Sequence, residues 1–315
     1  MKWVRAALDG LGITSQCIDQ AGLWRDRGSF DPRRRRLAVG DAVVESCDLI
    51  WYRRAYPVRV GRMSLGDAEF AREEFADFLF GALHSFGAEW HAPPTALAAA
   101  SFKPAQLAWA MRDGRLAVPD TLVTSVPEDA LAFMGARPAD FVLKPLAGPL
   151  IETEEGFDAL YTSRVTPDLL DRIEDLRQAP CILQAFVPRA CDVRLNVIGD
   201  TVFATRLDTA QDPAAEADCR KVYYTDMGYR VIEPPDAIAA ACRAMCSDFG
   251  ISFGAFDFAV DHDGRWWFLE NNPWGQWAWV EEMTGQALSA AFAAFFAQRI
   301  AAVRGVTSPA YFPPE

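Results

Sequence analysis

Apolar residues recur at three- and four-residue spacing in several stretches, which predicts amphipathic helices. Ala68 to Phe86 carries Phe75, Phe78, Leu79, Ala82 and Phe86 in that rhythm, and Leu288, Phe292, Phe295, Phe296, Ile300 and Val303 make a C-terminal stripe. Ala237 to Phe249 reads as a helix ending at Gly250, and Met1 to Leu11 as one closed by Gly12, with Trp3, Val4, Ala7, Leu8 and Leu11 on one side. Another helix follows Ser101, with Leu107, Ala108 and Met111 inward and Gly114 near its end. Shorter runs between turn signals predict strands: Thr14–Ile18, Leu37–Val39, Val43–Val44, Leu49–Tyr52, Thr121–Val123 and Phe141–Leu143. Three more follow, Cys181–Val187, Asp192–Ile198 and Thr201–Leu207, the last two joined by a Gly199–Asp200 turn. Phe253–Val260 and Trp266–Leu269 flank a second turn, and Ala147 to Gly156 reads as a mobile loop. Strands and helices interleave, so the class is α+β. A domain of this kind usually opens on a strand; here the pattern opens on a helix, and an opening strand is expected to be missing.

Composition narrows the functional classes. The chain has 315 residues, enough for two or three domains, and is 51% hydrophobic and 23% charged, as ordinary globular proteins are. Its net charge of −12 argues against a general nucleic-acid binder, which needs basic surface to displace counterions. Seven cysteines without a CxxC pair read as free thiols in a reducing compartment, with Cys242 and Cys246 stacked on one helix face. The longest apolar stretch, Ala287 to Ala297, falls short of the about 20 residues that span a bilayer. No signal peptide is visible, so a cytoplasmic protein is expected, bound neither to nucleic acid nor to membrane.

The chemistry concentrates in the last strand pair. Asp257 lies within the apolar run Phe256–Val260, and Glu270 ends the run that starts at Trp266, a separation of 270 − 257 = 13 residues. With the turn between them, the two carboxylates can lie side by side across the ladder. Glu270 and Asn272 alternate along an extended chain and share a face. Two carboxylates and an amide oxygen form a hard oxygen cage suited to magnesium bridging phosphates. The alternative, polar hairpin residues facing water, sits poorly with the Phe256, Phe258, Phe268 and Leu269 flanks. Lys144 ends the apolar strand Phe141–Leu143 before a Gly-containing loop, an arrangement that suits phosphate binding but by itself also describes a solvated strand end, and Lys103 is a second candidate of the same kind. The apolar run Ile182 to Val187 stops at Pro188 and by itself reads as a plain core strand; the backbone of Gln184, Ala185, Phe186 and Val187 could equally offer adenine a donor and an acceptor, and Asp192 could take ribose hydroxyls. Arg53, Arg54, Arg59 and Arg62 are candidates for guiding an acidic peptide, and Arg33–Arg36 reads as a solvated hairpin edge.

Together these segments resemble the ATP-grasp superfamily, and within it the maturases of ribosomal peptides, the microviridin-type macrocyclases or graspetide synthetases. The resemblance covers nearly the whole chain. It rests on Trp51-Tyr52-Arg53-Arg54, Lys103-Pro104-x-Gln106-Leu107, Val118-Pro119-x-Thr121-Leu122-Val123-Thr124, Leu143-Lys144-Pro145, Asp192-Val193-Arg194-Leu195, Asp218-Cys219-Arg220 and Glu270-Asn271-Asn272-Pro273-Trp274-Gly275-Gln276-Trp277. Cys219 stands where the subgroup commonly has Trp, and Trp274 where Asn is frequent. The resemblance implies an ATP-grasp fold with an N-terminal α/β domain (1–96), a central lid domain carrying Lys144 (97–180) and a C-terminal domain with the metal ligands (181–315). It implies ATP and Mg2+ as cofactors. It places Lys103 and Lys144 on the phosphates, Gln184 to Val187 on adenine and Asp192 at the ribose. Arg194, Arg206 and Arg220 would lie near the phosphates or the acceptor carboxylate as catalytic residues. The implied reaction activates a carboxylate as an acyl phosphate, which an amine or hydroxyl then attacks. A precursor peptide is the expected substrate and side-chain lactams or lactones the expected products; related ligases often form homodimers. A ligase for amino acids or protein tails would use the same site, and a non-catalytic ATP- or peptide-binding protein would have no need for the full metal cage.

Overall fold

The computed structural model describes residues 2–53, 58–137, 139–147, 150–153, 156–159, 161–208 and 228–305. The chain divides into two units, residues 1–94 with 287–315 and residues 95–286.

The first unit starts with helix α1 (Lys2–Gly10), which Gly12 closes at φ 71°. Val4 and Leu8 are buried there, while Trp3 and Leu11 are exposed, so the buried stripe is narrower than the pattern predicts. Thr14–Ile18 forms no strand; the chain passes through it irregularly to a short helix, α2 (Leu23–Asp26). Three short antiparallel strands follow in sheet order, β1 (Gly28–Asp31), β2 (Arg36–Val39) and β3 (Ala42–Val44). Arg33–Arg35 make the turn between the first two. Strand β4 (Leu49–Trp51) pairs in parallel with β5 (Glu89–His91), and helix α3 (Leu65–Ser85) connects them. Ser64 caps that helix, its hydroxyl accepting from the Asp67 N–H at 3.1 Å, which satisfies one of the donors left open by the first turn. Leu23, Leu37, Val39, Val58, Leu79, Ala82 and Phe86 form one core.

The second unit carries the remaining strands. Helices α4 (Pro94–Ser101) and α5 (Lys103–Asp113) lead into β6 (Thr121–Thr124), α6 (Pro127–Gly135) and β7 (Phe141–Pro145). On α5 the inward residues are Gln106, Leu107, Trp109 and Ala110; Ala108 and Met111 point outward. The stretch expected as a loop, Ala147 to Gly156, carries a strand, β8 (Leu150–Thr153), which pairs antiparallel with β9 (Gly156–Ala159) at and beyond its end. Then come β10 (Ser163–Arg164), α7 (Pro167–Leu170) and β11 (Cys181–Ala185). Strands β10, β7, β11 and β6 form an antiparallel sheet in that order, so the sheet extends five residues past the 97–180 span expected for the lid. Ala130 of α6 packs on Phe141 and Leu183 at its back.

The larger sheet has the order β14-β13-β12-β15-β16, built from β12 (Arg189–Ile198), β13 (Thr201–Asp208), β14 (Gly228–Ile232), β15 (Phe253–Asp261) and β16 (Trp266–Asn272). Gly199, at φ 56°, supplies the left-handed residue that the β12–β13 turn requires. Helix α8 (Asp236–Asp248) buries Cys242, Met245 and Cys246 against β12 and β15. Burial raises the pKa of both thiols, as desolvation penalises the thiolate, and they act as small apolar side chains. Helix α9 (Ala278–Thr284) follows β16, and α10 (Leu288–Val303) completes the first unit, where it packs on α1 and β4. There Phe292 and Phe296 surround Trp51 and His91. Burial, with Arg53 and Arg299 nearby, lowers the His91 pKa to about 3, so the ring is neutral. No helix among the described residues is long and apolar enough to cross a membrane.

Candidate active site

Asp257 and Glu270 are direct partners across the β15–β16 ladder, and Asn272 pairs with Ala255 two residues along the same face. A bulge makes this face possible. Phe258 pairs with Phe268 and Asp257 with Glu270, so Leu269 is an extra residue with no partner. That single insertion reverses the side to which the end of β16 points, bringing Glu270 and Asn272 onto the face of Asp257.

Each carboxylate carries a cation of the chain. Arg194, next to Asp257 on β12, donates from Nε to Oδ1 at 2.7 Å and from Nη2 to Oδ2 at 3.3 Å. Its Nη1 reaches the Gln276 carbonyl at 3.2 Å, and the guanidinium lies 5.5 Å from the Trp279 ring centroid. Lys103 Nζ lies 3.1 Å from Glu270 Oε2 and donates to the Pro145 carbonyl at 3.0 Å. One ammonium therefore joins the end of β7, which carries Lys144, to the end of β16. Asn272 Oδ1 accepts from the Trp274 N–H at 3.0 Å. The side chains of Lys103, Glu270, Arg194 and Asp257 are 22, 26, 18 and 30% exposed, open enough for a ligand to exchange with these internal pairs. The donor set of two carboxylates and one amide oxygen fits Mg2+.

The second group lies on the front of the smaller sheet. Lys144 donates to Gln184 Oε1 at 2.7 Å, and Gln184 Nε2 donates to Thr121 Oγ1 at 2.8 Å. The Gln184 side chain thus aims the lysine. In the segment expected to meet adenine, the Ala185 and Phe186 N–H groups are bonded to the carbonyls of Asp120 and Asp140 at 2.8 and 2.7 Å. Arg164 lies 3.8 Å over the Phe186 ring and donates to Asp140 at 2.9 Å. Asp192 is paired with Arg189 at 3.1 Å.

One expected residue stands apart. Arg206 pairs with Val193, on the face opposite Arg194 and Asp257, and donates to Asp208 at 2.7 Å. The structure does not bring it to the cluster, because a β-strand alternates its faces. Arg220, with Asp218 and Cys219, lies outside the described residues, as does Arg54. Pattern reading missed Thr121, Arg164 and the role of Gln106. A glutamine in the inward stripe of α5 was the available signal for the last.

The sequence matches no protein-family model and no curated protein. The similarity is to solved structures. The macrocyclase MdnB from Microcystis aeruginosa MRC is 26% identical, with a TM-score of 0.77 over 93% of this chain and 94% of that one. This chain has the ATP-grasp fold. A RiPP-associated ATP-grasp ligase from Chryseobacterium gregarium, in complex with ADP and a leader and core peptide, superposes at a TM-score of 0.83, with 24% identity over 93% and 91% of the chains. The macrocyclase MdnC of M. aeruginosa MRC, bound with the precursor peptide MdnA, superposes at 0.80, with 24% identity over 93% of each chain. Lys103, Lys144, Asp257 and Glu270 all lie in the unit of residues 95–286.

Proposed function

We propose that this protein is an ADP-forming ATP-grasp ligase that closes side-chain amide or ester bonds in a ribosomally made precursor peptide. The observation that carries the reading is Lys103, which bridges the strand of one phosphate lysine and a carboxylate of the metal cage.

In this reading Asp257, Glu270 and Asn272 hold Mg2+, which neutralises phosphate charge and templates in-line transfer when bound. Lys103 and Lys144 bind phosphate oxygens, Lys144 in the orientation that Gln184 gives it. With the Ala185 and Phe186 N–H groups engaged elsewhere, the Val187 backbone carries the adenine contact. A substrate carboxylate oxygen attacks the γ-phosphorus; the bond to the β-phosphate oxygen breaks, and ADP leaves. A Lys amine, or a Ser or Thr hydroxyl, of the same peptide then attacks the acyl carbon. Phosphate departs, and the nucleophile's proton passes to solvent. Arg194 stabilises the charge that develops at the acyl oxygens, and the chain needs no covalent nucleophile of its own. The three-domain division at 1–96, 97–180 and 181–315, a cytoplasmic location and a homodimer belong to the same proposal.

The test is intact-mass spectrometry of a short acidic peptide encoded beside this chain, incubated with the protein, ATP and Mg2+. Loss of one water per bond with the wild type, and none with Asp257→Ala, is the expected result. A mass gain would assign an amino-acid ligase instead. An unchanged peptide, with no ADP formed, would overturn the reading.

A further inference from the structure

We propose that Gln106 is a positioning residue of this site: its carboxamide holds both the N–H and the carbonyl of Asn271, one from each of the peptide units that join Asn271 to Glu270 and to Asn272, and so fixes these two ligands. The proposal rests on the ligase reading above. Gln106 is 1% exposed, on the inward face of α5. Its Oε1 accepts from the Asn271 N–H at 2.8 Å, and its Nε2 donates to the Asn271 carbonyl at 2.7 Å. The second Nε2 hydrogen goes to the Ala100 carbonyl at 2.6 Å. Both amide donors are therefore used, and the two peptide units that flank the Asn271 Cα are each held by one bond.

The reason lies in the topology. Strand β16 is the edge of its sheet, and an edge strand exposes unpaired N–H and C=O groups. Two points of this edge are covered, the Phe268 N–H by the Ala117 carbonyl at 2.7 Å and Asn271 by Gln106. Beyond Leu269 the register with β15 is shifted by one residue, and only three pairs, at Glu270, Asn271 and Asn272, remain before the strand ends. Gln106 replaces the missing neighbouring strand at the residue between the two ligands. Lys103 sits one turn earlier on the same helix and contacts Glu270. Helix α5 therefore delivers the ammonium and the clamp as one rigid piece.

The test is the Mg2+ dependence of binding of a fluorescent ADP analogue by the full chain, with thermal midpoints measured alongside, which needs no precursor peptide. Gln106→Leu keeps the volume and removes every hydrogen bond; half-saturating Mg2+ should rise by about 10–100-fold, the usual loss when support behind a metal ligand is removed. Gln106→Glu keeps the acceptor for Asn271 and loses both amide donors, so it should raise half-saturating Mg2+ as well. It is measured in parallel so that a Leu variant that fails to fold does not decide the matter. An unchanged Mg2+ requirement with only a lower midpoint, or failure of both variants to fold, would make Gln106 a structural residue and overturn the proposal. A wild type that binds no ADP at any Mg2+ concentration is a different failure, that of the nucleotide-binding reading itself.

Discussion

Gly275 offers a sharp steric test of the site, because the loop after Asn272 lies directly on β15. A Cβ at position 275 would stand 2.3 Å from the Ala255 Cβ and 3.0 Å from the Asn272 carbonyl oxygen. Carbon atoms settle at about 3.5–4.0 Å, so in Gly275→Ala the loop must retreat by roughly 1.2–1.7 Å. Ala255 is fully buried in a central strand and cannot yield. Overpacking of this kind destabilises by about 1–3 kcal/mol, and a shift of about 1 Å in a reacting arrangement lowers the rate roughly 100-fold. Asn272 lies three residues before the clash and would move with the loop. Gly275→Ala should therefore lose ligase turnover about 100-fold and need more Mg2+, with a lowered thermal midpoint. Ala255→Gly removes the opposing methyl and should lose about 0.5–1 kcal/mol of stability, with turnover retained. The double variant should regain most of the lost turnover, because the methyl group has only changed sides. ADP release and Mg2+ titration across the four proteins decide the matter. Wild-type turnover in Gly275→Ala, or no recovery in the double variant, would refute the reasoning.

Other outcomes follow from contacts of the same kind. The His91 pKa is about 3 in the folded protein, against 6.5 for an ordinary histidine. The unfolded chain therefore takes up a proton that the fold refuses, and stability is lost as pH falls through 6.5; the loss between pH 7.5 and 5 should be about 2 kcal/mol, read by urea denaturation and flattened in His91→Leu. Gln184→Leu removes the amide oxygen to which Lys144 donates and should raise KM for ATP about 10-fold, the scale of a lost hydrogen bond to a charged group, with kcat less affected.

The sequence revealed much of this site because its chemistry is local in the chain. Asp257, Glu270 and Asn272 lie on two strands joined by a four-residue turn, 262–265, so the turn predicted them near one another and alternation put Glu270 and Asn272 on one side of their strand. The bulge at Leu269 was not legible. Simple alternation from Trp266 does describe how Glu270 and Asn272 relate to each other, but not which face of the sheet they take, and an apolar leucine gives no sign that it lacks a partner. Arg206 shows the opposite error: its pairing with Val193, fixed by register across the sheet, sets its face, and no motif around it carries that register. Gln106 lies 165 residues from its partner Asn271, a contact that only the fold can bring about. The helical rhythm of α5 pointed to Ala108 and Met111 as inward because both are apolar, whereas the buried side of the helix is set by Asn271 and Asp248, which bond Gln106 and Trp109.

The two internal ion pairs bear on the order in which ligands bind. With Arg194 on Asp257 and Lys103 on Glu270, each carboxylate already has a positive partner. Mg2+ entering alone must separate both pairs and leave two cations beside it. In the proposed site, nucleotide phosphates entering with Mg2+ would give Lys103 a new anionic partner in place of Glu270. Mg2+ and ADP should therefore bind with strong positive coupling, and equally in either direction, since linkage is reciprocal; a coupling of about 5–150-fold is the usual range. Direct contact between metal and phosphate would also produce coupling, so the variant decides. Lys103→Met removes the competing cation from Glu270, and Mg2+ should bind more tightly to the nucleotide-free variant than to the wild type, while its ATP turnover falls. Calorimetric titration of Mg2+ with and without ADP measures both quantities. If Lys103→Met leaves Mg2+ binding in the absence of nucleotide unchanged or weaker, the ammonium does not hold the cage closed, and the 3.1 Å contact with Glu270 is incidental to binding order.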